Sequence, residues 1–178
     1  MKLESIALHE GYKSEETTKA AAVPIYLTTS YTFDDTQHGA DLFDLKVPGN
    51  IYTRIMNPTT DVLEKRIAAM EGGIGALCVA SGMAAITYAI QCICELGDNI
   101  VSTSQLYGGT YNFFAHSLPK QGIEARMVSY DDFEGFEKAI DDKTKAIFCE
   151  SIGNPAGNIV DISRLAEIAH KYGVPLIV

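Results

Sequence analysis

The sequence predicts an α/β protein: a doubly wound, mostly parallel sheet preceded by an extended N-terminal arm. Three observations carry this. From about Thr59 onward, short apolar runs alternate with segments of helical period, joined by short links. The runs are apolar throughout, as strands covered on both faces must be. Residues 1–58 instead hold turn signals such as "VPGN" and "NPTT" with weak periodicity. We therefore read 1–58 as an extended arm without a core of its own, and 59–178 as the first part of the α/β domain.

The elements follow in order. Leu63, Ile67 and Met70 recur at helical spacing, and Gly72-Gly73 ends that helix. "ALCVA" (Ala76–Ala80) reads as a wholly apolar strand, followed by a helix from about Gly82 to Glu95 that stops at Gly97. "NIVST" (Asn99–Thr103) is the next strand. Tyr111, Phe114, Ala115 and Leu118 mark one helical face. "IEARMVS" is the third strand. Phe133, Phe136 and Ile140 make a short helix behind Asp131-Asp132, which can cap it. "AIFCE" is the fourth strand. Ile162, Leu165, Ala166, Ala169 and Tyr172 line a helix capped by Asp161 or Ser163. "VPLIV" is the fifth strand, and a chain ordinarily continues beyond a buried parallel strand. The expectation is that these residues begin a longer protein.

Composition narrows the function. A net charge of −9 with scattered bases argues against nucleic acid and against an anionic membrane surface. Gly72–Cys94 carries no charged residue and is long enough to cross a bilayer. Its glycines at 72, 73, 75 and 82, however, divide it into two elements joined by a turn. The N-terminus lacks the apolar core of a signal peptide. Cys78, Cys92, Cys94 and Cys149 form no C-x-x-C pair, and we read them as buried free thiols of a cytoplasmic protein. The four histidines lie far apart, so no metal site is expected.

Several loops fall where ligands of open α/β sheets bind, at strand carboxyl ends. Ser81-Gly82-Met83 joins a strand to a helix and presents unpaired backbone N–H groups to an anion such as phosphate. The plainer alternative is that Ser81 only caps its helix. Tyr107, in "LYGGTYNFF", can stack on a planar ligand or simply pack on the core. Asn154, in "ESIGNPAGN", marks the same edge, or only an Asn-Pro turn. In the arm, Tyr52 and Arg54 of "NIYTRIMNPTT" point the same way if extended and can grip a phosphate, or form an ordinary surface pair. "GGIGALC" is not a dinucleotide fingerprint, since it follows a helix and has Cys78 in place of the third glycine.

These stretches resemble the cysteine/methionine-metabolism family of pyridoxal-phosphate enzymes. The resemblance runs through "VPIYLTTSYTF", "GNIYTRIMNPTTDVLEKRIAAMEGG", "ASGMAAI", "GDNIVS", "LYGGTYNFF", "KAIFCESIGNPAGN" and "GVPLIV". It implies the large domain of a type I pyridoxal-phosphate fold. It also implies γ-replacement on O-acetylhomoserine with sulfide or a thiol, giving homocysteine or methionine. Pyridoxal 5'-phosphate would lie with its phosphate on Ser81, Gly82 and Met83. Tyr52 and Arg54 would reach that phosphate from a neighbouring subunit of a dimer of dimers. Tyr107 would stack on the ring and serve catalysis by moving protons, and Asn154 would bond the ring's 3-hydroxyl. The family pattern continues past "VPLIV" with an aspartate for the ring nitrogen, a Ser-x-Thr-Lys lysine that bonds the cofactor, and an arginine for the substrate carboxylate. None of these is among the present residues, so residues 1–178 alone are expected to have no turnover. Within the family, cystathionine γ-synthase and methionine γ-lyase are the alternatives; lyases carry a cysteine where Gly109 stands. Outside it, the alternatives are a nucleotide- or methyl-donor-binding domain and a non-catalytic truncated partner of a longer subunit.

Overall fold

A computed structural model describes all residues from Met1 to Val178 as two compact units, Met1–Val79 and Ala80–Val178. The first unit holds α1 (Leu3–His9), α2 (Thr36–Phe43) and α3 (Pro58–Glu71). Asn57 starts α3: its Oδ1 accepts from the Thr59 N–H at 2.9 Å, and Pro58 supplies a first helical residue that needs no N–H partner. Gly72, at φ +64°, closes it in the left-handed conformation that favours glycine. Residues 23–31 run extended and are tied to the start of α3. Thr59 Oγ1 donates to the Pro24 carbonyl at 2.8 Å, and Asn57 Nδ2 donates to the Tyr26 carbonyl at 2.9 Å.

Two expectations change in this unit. The buried face of α3 is Val62 and Ala68, whereas Leu63 and Ile67 are exposed; the stripe that marks the helix does not mark its core. The "ALCVA" segment joins no ladder, because Leu77 lies open to solvent and the Cys78 N–H bonds the Glu64 carboxylate at 2.8 Å. An extended apolar run becomes a strand only where a second backbone takes up its amides.

The second unit begins with α4 (Gly82–Gln91) and then builds a four-stranded, all-parallel sheet. Its strands are β1 (Asn99–Thr103), β2 (Glu124–Val128), β3 (Thr144–Phe148) and β4 (Leu176–Ile177), in the order β2-β1-β3-β4. Helix α5 (Gly108–Asn112) connects β1 to β2, α6 (Phe133–Ala139) connects β2 to β3, and α7 (Ile162–Lys171) connects β3 to β4. Every residue of β1 is buried, and successive side chains serve opposite faces. Ile100 and Phe148 pack with Ile90, Phe114 and Leu118 on one face. Val101 and Ile147 pack with Phe136, Leu165 and Ile168 on the other. Asp132 and Asp161 cap α6 and α7 by accepting the Gly135 and Arg164 N–H groups. Helix α4 stops earlier than the periodicity predicts, with Cys92 as its C-cap. The face marked by Tyr111, Phe114, Ala115 and Leu118 is not one α-helix. After α5 the chain makes a π turn over Phe113–Ser117 and a 3-10 turn over Leu118–Gln121, which seats Phe114 and Leu118 with no exposed surface.

The amino ends of the strands are joined by a polar network. Asn99, 2% exposed, donates from Nδ2 to Asp141 Oδ1 at 2.8 Å and accepts from Thr144 Oγ1 at 2.7 Å. Arg126 Nη1 lies 2.7 Å from Asp141 Oδ2. The Asn99 amide and then the Arg126 guanidinium hold the Asp141 carboxyl well below the usual carboxylate range. A depressed folded-state pKa contributes stability that is present above the unfolded value of about 3.9 and is lost as pH falls below it. Melting temperatures are therefore expected to drop as pH falls from about 5 to about 2, and the drop to be smaller in Asp141→Asn; equal drops would show that Asp141 does not contribute.

Candidate functional site

In this sheet the strand order reverses between β1 and β3. Chain segments leaving these neighbours at their carboxyl ends diverge and open a crevice, the place where open α/β sheets take ligands. Two of the loops singled out in the sequence leave from these two strands.

After β1, Tyr107 is the residue before α5, with φ −51° and ψ 137°, and is 53% exposed. The loop approaches α4 closely: a Cβ placed on Gly109 would stand 2.6 Å from Tyr107 Cε1 and 3.2 Å from Met83 Sδ. The ring of Tyr107 thus lies over a glycine, beside the side chain of Met83. After β3, residues 151–160 fold back on themselves. Ile152 bridges Ile159, the Gly153 N–H donates to the Asn158 carbonyl at 2.9 Å, and the Val160 N–H donates to the Ser151 carbonyl at 3.2 Å. Asn154 sits exposed in this loop, before a cis Pro155.

At the start of α4, Ser81 Oγ accepts from the Ala84 N–H at 3.1 Å, so Ser81 does cap its helix. Capping uses the oxygen as an acceptor and leaves the hydroxyl proton free to donate. The N–H groups of Gly82 and Met83 have no acceptor, and the space in front of Gly82 is open. Capping and anion binding are compatible here.

Tyr52 and Arg54 belong to the first unit. Tyr52 forms an antiparallel bridge with Ser30 and meets Phe43 edge-on at 6.1 Å. Arg54 lies in a turn, because the Tyr52 carbonyl accepts from the N–H groups of Ile55 and Met56. The period-two alternation inferred for the pair does not describe this stretch, although both side chains are exposed. A cleft of about 670 Å³ in the same unit, lined by Tyr12, Tyr26 and Lys65 among others, contains none of the residues singled out.

The thiols also differ from expectation. Cys94 and Cys149 are buried, and burial pushes both up to about 11. Cys92 is exposed and Cys78 half-buried; each occupies a segment outside the sheet. The sequence reading missed one residue at the crevice. Glu150, directly ahead of the Asn154 loop, accepts the Tyr107 N–H on both carboxylate oxygens at 3.0 Å.

Fold and geometry together define a class: an α/β domain with a crevice at the carboxyl edge of a parallel sheet. Comparison with known proteins sharpens it. The chain belongs to the Cys/Met metabolism PLP-dependent enzyme family, whose model matches residues 4–178. It is 55% identical over 176 residues to a homocysteine/cysteine synthase of Kluyveromyces lactis, covering 98% of this chain and 40% of that protein. It is 52% identical over 177 residues to the O-acetyl-L-homoserine sulfhydrylase of Leptospira meyeri, covering 99% of this chain and 40% of that protein. The chain therefore spans about two fifths of the length of these relatives.

Among solved structures, an O-acetylhomoserine (thiol)-lyase of Campylobacter jejuni holding N'-pyridoxyl-lysine-5'-monophosphate superposes with a TM-score of 0.95. The two are 43% identical, over 99% of this chain and 43% of that one. A cystathionine γ-lyase of Lactobacillus plantarum complexed with L-serine gives 0.88 at 31% identity, over 99% and 44%. The fold is thus that of the type I pyridoxal-phosphate enzymes. No helix of the chain is long and apolar enough to cross a membrane.

The residues present fit the phosphate of such a cofactor. Two unpaired N–H groups, a hydroxyl proton and open space converge at the start of a ten-residue helix, whose dipole favours an anion.

Proposed function

We propose that this chain is the cofactor-binding part of a pyridoxal-phosphate enzyme that replaces the acetate of O-acetylhomoserine with sulfide or a thiol. The observation that carries the reading is the convergence at the β1–β3 crevice of the Tyr107 loop and the Asn154 loop, beside Met83 at the head of α4. The balanced reaction with sulfide consumes O-acetylhomoserine and yields homocysteine and acetate.

When bound, pyridoxal phosphate supplies an electron sink for negative charge developing beside the substrate amino group. The protein residues hold and orient. Gly82 and Met83 donate their N–H groups to the phosphate, and Ser81 adds its hydroxyl proton. Tyr107 would stack on the ring, and its half-exposed phenol would accept and return a proton. Asn154 would donate from its side-chain amide to the ring's 3-oxygen. Tyr52 and Arg54 complete the phosphate site from a second copy of the chain. Self-association, with a dimer of dimers as the complete form, is supported by the large apolar side chains that the first unit leaves exposed, among them Ile25, Leu27 and Ile74. Four free thiols suit a reducing cytoplasm.

The full gene product is expected to develop visible absorption with pyridoxal phosphate and to form homocysteine from O-acetylhomoserine and sulfide. O-succinylhomoserine and methionine are expected to react at least about tenfold more slowly. Faster reaction with O-succinylhomoserine, or thiol release from methionine, would replace the sulfhydrylase reading with the γ-synthase or lyase one.

A further inference from the structure

Glu150 makes a contact that neither sheet nor core requires. It follows β3 by two residues and reaches across the strand-order reversal to the loop that leaves β1. Its carboxylate oxygens stand at 3.0 Å and 3.0 Å from one backbone nitrogen, that of Tyr107. Glu150 takes part in no ion pair, and the Tyr107 amide is its only hydrogen-bond partner. A half-buried side chain whose two acceptor oxygens meet a single amide ties that amide to the end of β3.

The position of the restraint gives it meaning. Tyr107 is the hinge between β1's loop and α5: its carbonyl accepts the Tyr111 N–H at 2.9 Å, and its own side chain makes no helix-capping bond. Fixing its N–H fixes the plane from which its ring projects. On the other side, Glu150 adjoins Ser151, whose carbonyl closes the Asn154 loop. One side chain therefore joins the two loops at their roots.

We propose that Glu150 is a positioning residue that fixes the Tyr107 loop against the Asn154 loop, so that ring stacking and the 3-oxygen contact are set together. This rests on the pyridoxal-phosphate reading above. The role belongs to the reach and acceptor oxygens of the side chain, not to its charge. The two conservative substitutions therefore separate it from a charge effect. Glu150→Gln keeps the length and an acceptor oxygen. Glu150→Asp keeps the charge but is one methylene too short to span the same gap.

The test uses the full gene product. In the cofactor-free protein, hydrogen exchange of the segment 106–112 is expected to speed up about tenfold in E150D and by less than about threefold in E150Q. With pyridoxal phosphate, the visible circular dichroism per bound cofactor is expected to fall by about half or more in E150D and to stay near the parent value in E150Q. In turnover, kcat should fall in E150D with KM little changed, since both variants keep the substrate-binding groups. The reverse order, E150Q impaired and E150D normal, would overturn the proposal in favour of a charge role. Parent-like exchange and dichroism in both variants would overturn it outright, as would faster exchange in E150D without a change in dichroism. A parent protein that shows no visible dichroism with pyridoxal phosphate would instead defeat the cofactor reading and the proposal with it. Exchange in the cofactor-free protein would then still tell whether Glu150 holds the loop.

Discussion

Gly109→Ala is expected to lower kcat/KM by about tenfold or more while leaving the fold intact. The added Cβ would stand 2.6 Å from Tyr107 Cε1 and 3.2 Å from Met83 Sδ, distances at which one of the three must move. The ring of Tyr107 is the easiest to displace, because it is 53% exposed while the glycine backbone belongs to α5. Gly109 does not have a positive φ, so alanine meets no backbone strain there, and its better helix propensity offsets the crowding. The loss should therefore appear as a displaced ring: weaker dichroism of bound pyridoxal phosphate, slower turnover, and a melting temperature within a few degrees of the parent. Unchanged kinetics would mean that the Tyr107 ring is not part of the site. A melting temperature lowered by ten degrees or more (about 2.5–5 kcal/mol at this chain length) would assign Gly109 a structural role instead.

Phe114→Ala is expected to destabilise the protein by about 3–5 kcal/mol, the usual cost of deleting a fully buried aromatic ring. Phe114 has no exposed surface, meets Phe148 edge-on at 5.0 Å, and packs tilted on Phe113 at 5.7 Å. The π turn over Phe113–Ser117 places it there, so the substitution removes both the ring and the reason for the irregular turn. Chemical denaturation of the full gene product measures the effect. A change below about 1 kcal/mol, the low end of buried-side-chain deletions, would show that this face of the sheet is loosely packed.

Much of the second unit was legible in the sequence because its signals are local. β1 occupies the predicted Asn99–Thr103, and Asp132 and Asp161 cap the helices that their positions announce. What escaped depends on partners distant in the chain. "ALCVA" has the composition of a buried strand but lacks a neighbouring backbone. Helices α1 and α2 are only seven and eight residues long, and the Asp35 cap is the plainest mark of α2. The stripe of Leu63 and Ile67 gives the period of α3 correctly but not its orientation, since periodicity identifies a face without saying what covers it.

At the site, the loops carrying Tyr107 and Asn154 could be placed at strand carboxyl ends from the pattern alone. The contact between Tyr107 and Glu150 could not, because it spans 43 positions and follows from the β2-β1-β3-β4 order. The extended backbone expected at Arg54 is replaced by a turn for a local reason. The turn is closed by the carbonyl of Tyr52, and nothing in "YTRIM" distinguishes that turn from a strand.

The polar network around Asn99 and Asp141 and the Tyr107–Glu150 crevice occupy opposite ends of the same strands. The sheet separates the residues that hold the strands in register from those that face a ligand by the full length of β1 and β3. Such a division bears on evolvability. Sequence drift in the loops after β1 and β3 can redirect chemistry without loosening the amino-terminal clasp, so one scaffold can diversify its reactions while its folding determinants stay fixed. A combinatorial library for new specificity belongs in 105–109 and 151–159, with Asn99, Arg126, Asp141 and Thr144 left untouched.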